Sequence, residues 1–137
     1  VILDSFRLDG KVALVTGGGR GLGQGIAVAL AEAGGDVALL DRSGAAATVD
    51  RVRALGRRSA GIACDLLEAK VADLDGVIAR VVEELGRIDI LVNNAGIIRR
   101  TPAIEAGEAD WDDVLQVNLK TVFFLSQAAA RRMVPRG

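Results

Sequence analysis

Two hydrophobic rhythms alternate along this chain. Short apolar runs with little alternation, Val12–Val15, Val37–Leu40, Ser59–Cys64 and Ile88–Val92, read as strands, because a strand covered on both faces has no polar side to show. Between them, Leu22–Ala33, Ala45–Leu55 and Glu68–Leu85 carry apolar residues at helical spacing. In the last of these Val71, Leu74, Ile78, Val81, Val82 and Leu85 form one stripe. A fourth helix is expected from about Ala109 to Met133. Gly34-Gly35, Gly56 and Gly86 stand just past the first three helices, where a residue with positive φ ends a helix. Strand and helix in strict alternation imply a parallel sheet with right-handed crossovers. The implied strand order is 3-2-1-4, which leaves Ile88–Val92 at a sheet edge.

The first strand runs into Thr16-Gly17-Gly18-Gly19-Arg20-Gly21-Leu22-Gly23 and then into a helix. Backbone N–H groups at a helix start, together with the helix dipole, attract a pyrophosphate. The phosphates approach closely only where side chains are missing, hence Gly17, Gly21 and Gly23, with Thr16, Gly19, Arg20 and Leu22 around them as further candidate contacts. The second strand ends on Asp41, placed to accept both hydroxyls of an adenosine ribose and to repel a 2′-phosphate. NAD is therefore favoured over NADP, although Arg42 and Arg20 could each pair with that phosphate. No Gly-Lys-Ser/Thr is present, which excludes a P-loop. The expected fold is α/β: a Rossmann-like doubly wound parallel sheet in three α/β/α layers. Residues 1–137 form one dinucleotide-binding domain that stops after its fourth βα unit.

Three further groups close strands or interrupt a stripe. Cys64-Asp65-Leu66 follows the third strand at the edge where ligands bind; Asp65 either accepts from an adenine amino group or caps the next helix. Asn93-Asn94-Ala95-Gly96 closes the fourth strand, as a backbone passing close to a ligand or as an Asn-rich turn. Asn118 falls within the apolar spacing of Trp111, Val114, Leu115, Val122 and Leu125. An amide on a buried face must find partners, so it either ties structure together or holds a water. Arg99 and Arg100 follow the asparagine turn and are candidates for gripping a substrate carboxylate, with exposed loop arginines as the alternative.

Composition narrows the classes. Seventeen basic and eighteen acidic residues leave a net charge of −1, no footprint for nucleic acid. The arginines of 51–58 and 131–136 read as solvated helix faces and ends. No apolar window reaches membrane length, and Val1-Ile2-Leu3 before Asp4 is too short for a signal-peptide core. Cys64 is alone and there is no histidine, so no intrachain disulfide forms, no metal site is expected, and a reducing, cytoplasmic setting fits. There is also no tyrosine.

Taken together, Thr16-Gly17-x3-Gly21-x-Gly23, Asp41, Asp65, Asn93-Asn94-Ala95-Gly96 and Asn118 resemble the short-chain dehydrogenase/reductase family, as does the lead-in Phe6-Arg7-Leu8-Asp9-Gly10-Lys11. The resemblance implies that Asn94 and Gly96 shape the nicotinamide end of the site. It makes Asn118 the asparagine of a catalytic tetrad, holding the water of a proton relay. Residues 93–129 are similar to the 2-deoxy-D-gluconate 3-dehydrogenase / 2-dehydro-3-deoxy-D-gluconate 5-dehydrogenase branch, implying a small-molecule substrate such as a sugar acid or another secondary alcohol. Gly107 departs from the pattern, since relatives commonly place a hydroxyl side chain there. The family's Ser, its Tyr general acid/base and its Lys fall beyond Gly137, so these residues alone are expected to be inactive. A homo-oligomer through the fourth helix is implied, because Val122, Phe123 and Phe124 cannot all face one sheet and the family packs this helix against a neighbouring subunit. The rival readings are a non-catalytic cofactor-binding or interaction fragment, and a methyltransferase-like domain, which the asparagine turn and Asn118 count against.

Overall fold

The computed structural model describes all residues 1–137. Four parallel strands, β1 (Val12–Thr16), β2 (Asp36–Asp41), β3 (Ser59–Ala63) and β4 (Ile90–Val92), form one sheet in the order β3-β2-β1-β4. This is the predicted order. Val12 to Thr16 pair with Asp36 to Leu40, and Ala13 to Val15 with Ile90 to Val92, so β1 is the central strand beside the point where the chain reverses its direction of winding. Ligands of such sheets bind in the crevice at the carboxyl ends of the strands flanking that point.

Both sheet faces are covered, which explains the unbroken apolar runs. Leu14 and Leu40 face a large core built with α3 (Val71–Leu85) and α5 (Thr121–Met133), while Val15, Val37 and Leu39 face a smaller one built with α1 (Gly21–Glu32) and α2 (Ala46–Ala54). Helix α1 buries only Gly23, Ala27 and Ala31, small residues that let it lie close to the sheet. On α3 the buried stripe is Leu74, Val77, Ile78, Val81 and Leu85. Val77 joins the predicted set, and Val71 and Val82 sit at its flanks, half-buried. Gly34, Gly56 and Gly86 take positive φ as expected.

Beyond one-residue shifts at the ends of β1, β2, α1 and α2, further differences from the sequence reading bear on the site. β3 stops at Ala63, although the Cys64 N–H still reaches the Asp41 carbonyl. β4 begins only at Ile90: Ile88 is buried but precedes the ladder, and Asp89 N–H makes the first bond, to the Val12 carbonyl. Helix α3 starts at Val71, with Asp73 accepting from the Lys70 N–H, so Asp65 is not its N-cap. Asp65 instead accepts from the Leu67 N–H at 3.0 Å and fixes a separate turn. The fourth helix is broken into α4 (Glu108–Leu115), a π-helical turn over Gln116–Lys120, and α5. The π turn is closed by the Thr121 N–H donating to the Gln116 carbonyl, five residues back. α4 buries no residue, its N-cap Gly107 makes no side-chain cap bond, and Trp111 is exposed. On α5, Phe124 packs on the core while Phe123 is exposed, their ring centroids 5.1 Å apart and nearly perpendicular. No helix is long and apolar enough to cross a membrane.

At the amino end of the sheet Asp89 gathers three partners. It accepts from the Val12 N–H at 2.9 Å and from the Arg87 guanidinium, and Arg136 lies 3.6 Å away. Partial burial pushes its carboxyl up, but the hydrogen bonds and the two guanidinium charges together hold it below the usual carboxylate range. A group depressed in the folded state stabilises fully above its unfolded pKa of about 3.9 and loses that contribution as pH falls through the lower folded value. Asp89→Asn should cost about 1–2 kcal/mol at pH 7. The gap between variant and parent should close toward pH 2; urea titrations at both pH values check this, and a gap that persists in acid would refute it.

Candidate functional site

A cleft of about 800 Å³ opens at the carboxyl edge of the sheet, lined by Gly17, Gly19–Gly23, Leu40–Ser43, Cys64–Leu67, Asn94–Ile97, Arg99 and Val117. Four loops contribute, and each is held by a specific contact.

The β1–α1 turn is shaped by close approach. Gly17 has φ +64, and a Cβ on Gly23 would collide with the Gly17 carbonyl oxygen and stand 2.6 Å from Asn94 Nδ2. Only glycine at 23 lets α1 begin directly under the turn. Arg20, the N-cap of α1, makes no side-chain cap bond, so the first N–H groups of the helix are left for a ligand. Gly21, at φ +57, faces open space.

This turn is clamped to the end of β4. The buried Thr16 hydroxyl accepts from the N–H groups of Asn94 and Ala95, at 3.1 and 3.0 Å, and lies 3.4 Å from the Val92 carbonyl. Asn94 Nδ2 donates in return to the carbonyls of Thr16 and Gly17, at 3.0 and 3.2 Å. Thr16 thus sits behind the cleft, as a strut. Asn93 points elsewhere: its Nδ2 donates to Ser126 Oγ on α5, and it does not line the cleft. Of the two asparagines expected at the ligand, only Asn94 lines the cleft.

Asp41 closes β2 with an asymmetric carboxylate. Oδ1 accepts from the N–H groups of Ser43, Gly44 and Ala45, at 2.8, 2.6 and 2.9 Å, and from the Ser43 hydroxyl. Oδ2 accepts no hydrogen bond and occupies the space a side chain on Gly19 would need. The turn that supplies these donors carries a non-glycine residue in left-handed backbone, Ala45 at φ 55, a conformation that costs of order 1 kcal/mol.

Arg42 extends toward Asp65, Nε to Oδ2 3.7 Å, an exposed pair of little energetic weight. Burial first, then the charges of Asp73 and Asp65, pushes the Cys64 thiol up, so it meets the cleft as a neutral group. Leu66 is buried in the wall, whereas Leu22 is exposed on the opposite rim. Arg99 is held at the mouth by Asp113, 3.2 Å away; Arg100 is exposed and does not line the cleft.

Asn118 differs from the sequence expectation. Its residue is exposed: the buried positions along this stretch are Val117, Thr121 and Leu125, while Trp111 is exposed and Val114, Leu115 and Val122 are half-buried. Asn118 Oδ1 accepts from the Ile97 N–H at 2.9 Å and its Nδ2 donates to the Ile97 carbonyl at 2.8 Å. The amide therefore reads the backbone of the asparagine loop like a strand partner, and Oδ1 also lies where a Cβ on Gly96 would touch it. Gln116, one residue type the sequence reading passed over, donates to the carbonyls of Leu66 and Ala69. A glutamine on a helix carries no signal of its own, and its role depends on a π turn that periodicity cannot show. A second depression, among Arg53, Arg57, Arg58 and Glu84, lies at the opposite sheet edge. Its guanidiniums already bond backbone carbonyls of Ser59, Gly34 and Leu85.

A short chain dehydrogenase family model matches residues 11–137. The chain belongs to the short-chain dehydrogenase family. It is 49% identical over 137 residues to 2-dehydro-3-deoxy-D-gluconate 5-dehydrogenase of Escherichia coli strain K12, covering 100% of this chain and 53% of that protein. The crystal structure of a short chain dehydrogenase from Burkholderia cenocepacia J2315 in complex with NADP superposes with a TM-score of 0.87 at 44% identity, over 93% of this chain and 52% of that one. That of carveol dehydrogenase from Mycobacterium avium in complex with NAD gives 0.87 at 30% identity, over 95% and 52%. The chain thus spans about half the length of the curated relatives it matches.

The close approach at Gly23 gives a direct test of the turn. Gly23→Ala should force α1 away from Gly17 and Asn94, costing about 2–3 kcal/mol of stability, since the Gly17 carbonyl is backbone and Asn94 Nδ2 is tied by two hydrogen bonds. Gly25→Ala, where a Cβ meets nothing within 4 Å, should stabilise by up to about 1 kcal/mol. Thermal melts of the two variants should therefore move in opposite directions.

Proposed function

We propose that this chain is the dinucleotide-binding half of an NAD-dependent oxidoreductase. The whole protein moves a hydride between nicotinamide and a secondary alcohol or ketone, of a small sugar acid such as 2-deoxy-D-gluconate. The observation that carries the cofactor reading is Asp41. Its Oδ1 is anchored by three backbone donors while Oδ2 stays free at the cleft, the arrangement that accepts ribose hydroxyls and repels a 2′-phosphate. The uncapped start of α1 suits the pyrophosphate, and Ala95, Gly96 and Ile97, held by Thr16 and Asn118, form the wall assigned to the nicotinamide end.

Support for the substrate class comes from the Escherichia coli relative, whose name is that of a sugar-acid dehydrogenase, and from Arg99 at the mouth of the cleft. The Burkholderia structure holds NADP, and Arg20 and Arg42 also line this cleft, so the discrimination needs measuring with both cofactors. Calorimetric titration should show NAD binding more tightly than NADP by at least tenfold, and Asp41→Ala should narrow the ratio. Tighter NADP binding in the parent would refute the assignment.

A second reading, a cofactor-binding piece without catalysis of its own, is favoured by one observation: the chain holds no tyrosine. The family resemblance takes its general acid/base from a tyrosine. Proton transfer of that kind contributes about 10²–10⁴-fold, and misplacing substrate costs more. A polypeptide of these 137 residues alone should therefore give no NAD-dependent turnover of 2-deoxy-D-gluconate, while the full-length protein does. Turnover by the verified short species would overturn this expectation.

A further inference from the structure

The π turn sends two residues two positions apart, Gln116 and Asn118, to opposite walls of the cleft. Gln116 Nε2 donates to the Leu66 carbonyl at 3.1 Å and to the Ala69 carbonyl at 2.9 Å. No backbone N–H bonds either carbonyl, so this amide is their one partner and ties the turn, closed within itself by the Glu68 N–H to the Asp65 carbonyl and the Leu67 N–H to the Asp65 carboxylate, to the helix. Val117, buried, lines the floor. Asn118 then grips Ile97 on the other wall. Residues two apart on a helix point roughly opposite ways, and here that geometry makes five residues into a crossbar between the two sides. Asp65 has no other long-range tie of weight: its carboxylate bonds the Leu67 N–H and meets exposed Arg42.

We propose that Gln116 is a positioning residue for the adenosine half of the cleft. Its amide donor fixes the 65–69 turn, and with it the side chains of Asp65 and Leu66, at the spacing an adenine ring requires. The inference rests on reading the cleft as a dinucleotide site. Loosening the turn leaves the asparagine wall untouched, because that wall is held separately by Thr16 and Asn118. The loss on removing the donor therefore falls on the adenosine half alone.

The test uses the full-length protein with NADH and ADP-ribose as probes. Gln116→Glu keeps the shape but replaces the donor by an acceptor facing two carbonyls. Kd for NADH should rise about tenfold and Kd for ADP-ribose by the same factor, while the nicotinamide emission spectrum of the saturated NADH complex stays as in the parent. Gln116→Lys, which retains a donor of sufficient reach, should recover most of the affinity. Should Gln116→Glu fail to fold, Gln116→Met removes the donor at similar length and is held to the same readouts. Unchanged ADP-ribose affinity, a loss confined to NADH, or an altered emission spectrum would each overturn the role of Gln116. A parent protein that binds neither probe would instead remove the reading of the cleft, and the two failures are thereby told apart.

Discussion

The Thr16 hydroxyl is the fixed point of this structure. It is buried at the end of the central strand and bonds two consecutive N–H groups of the chain leaving β4, while Asn94 returns two bonds to the carbonyls around it. β4 pairs with β1 over only three residues, so this reciprocal set extends the pairing beyond the ladder and into the two loops that form the cleft. The glycine turn and the asparagine turn are thereby one rigid object. Gly23 completes it, since the contact of α1 with Gly17 and Asn94 leaves no room for a side chain.

The remaining walls are attached to that object by side-chain amides and carboxylates rather than by more sheet. Asp41 gathers the N–H groups of residues 43–45 and holds a left-handed alanine in place. Gln116 holds the 65–69 turn, and Asn118 holds Ile97. Asp41 and Gln116 spend one side of the group on these contacts, and Asn118 spends both. For Asp41 the other side is left facing the cleft, and the uncapped first turn of α1 adds free N–H donors nearby. A site built this way is pre-formed, with hydrogen-bonding capacity facing the cleft that the protein itself does not use.

The division between the two ends of the sheet follows the same economy. At the amino end, Asp89 is shared by Arg87 and Arg136, and Arg53, Arg57 and Arg58 bond backbone carbonyls. Charge there is consumed by structure. At the carboxyl end it is left partly unspent, at Asp41, Asp65, Arg20 and Arg42, where the winding of the chain opens the crevice.

The sheet, its order and most of the cleft were legible in the chain, because local rules determine them. Uninterrupted apolar runs can only be strands covered twice, glycines after helices mark their ends, and a glycine turn between strand and helix with an acid on the next strand places a nucleotide edge. What depended on tertiary contacts was decided elsewhere. Asn93 and Asn94 are chemically identical neighbours, yet Ser126 on α5 draws one away while Thr16 draws the other in. Asp65 follows a strand and precedes a helix, but the helix begins six residues later and the carboxylate fixes a turn of its own. The fourth helix shows continuous 3.6-residue spacing from Trp111 to Leu125, yet the structure breaks it with a π turn, buries Val117 and Thr121 in place of Trp111 and Asn118, and aims Gln116 across the cleft. A periodic pattern specifies which face of a helix is buried. It carries no information about where that helix must change pitch to satisfy three carbonyls and an N–H on loops distant in sequence.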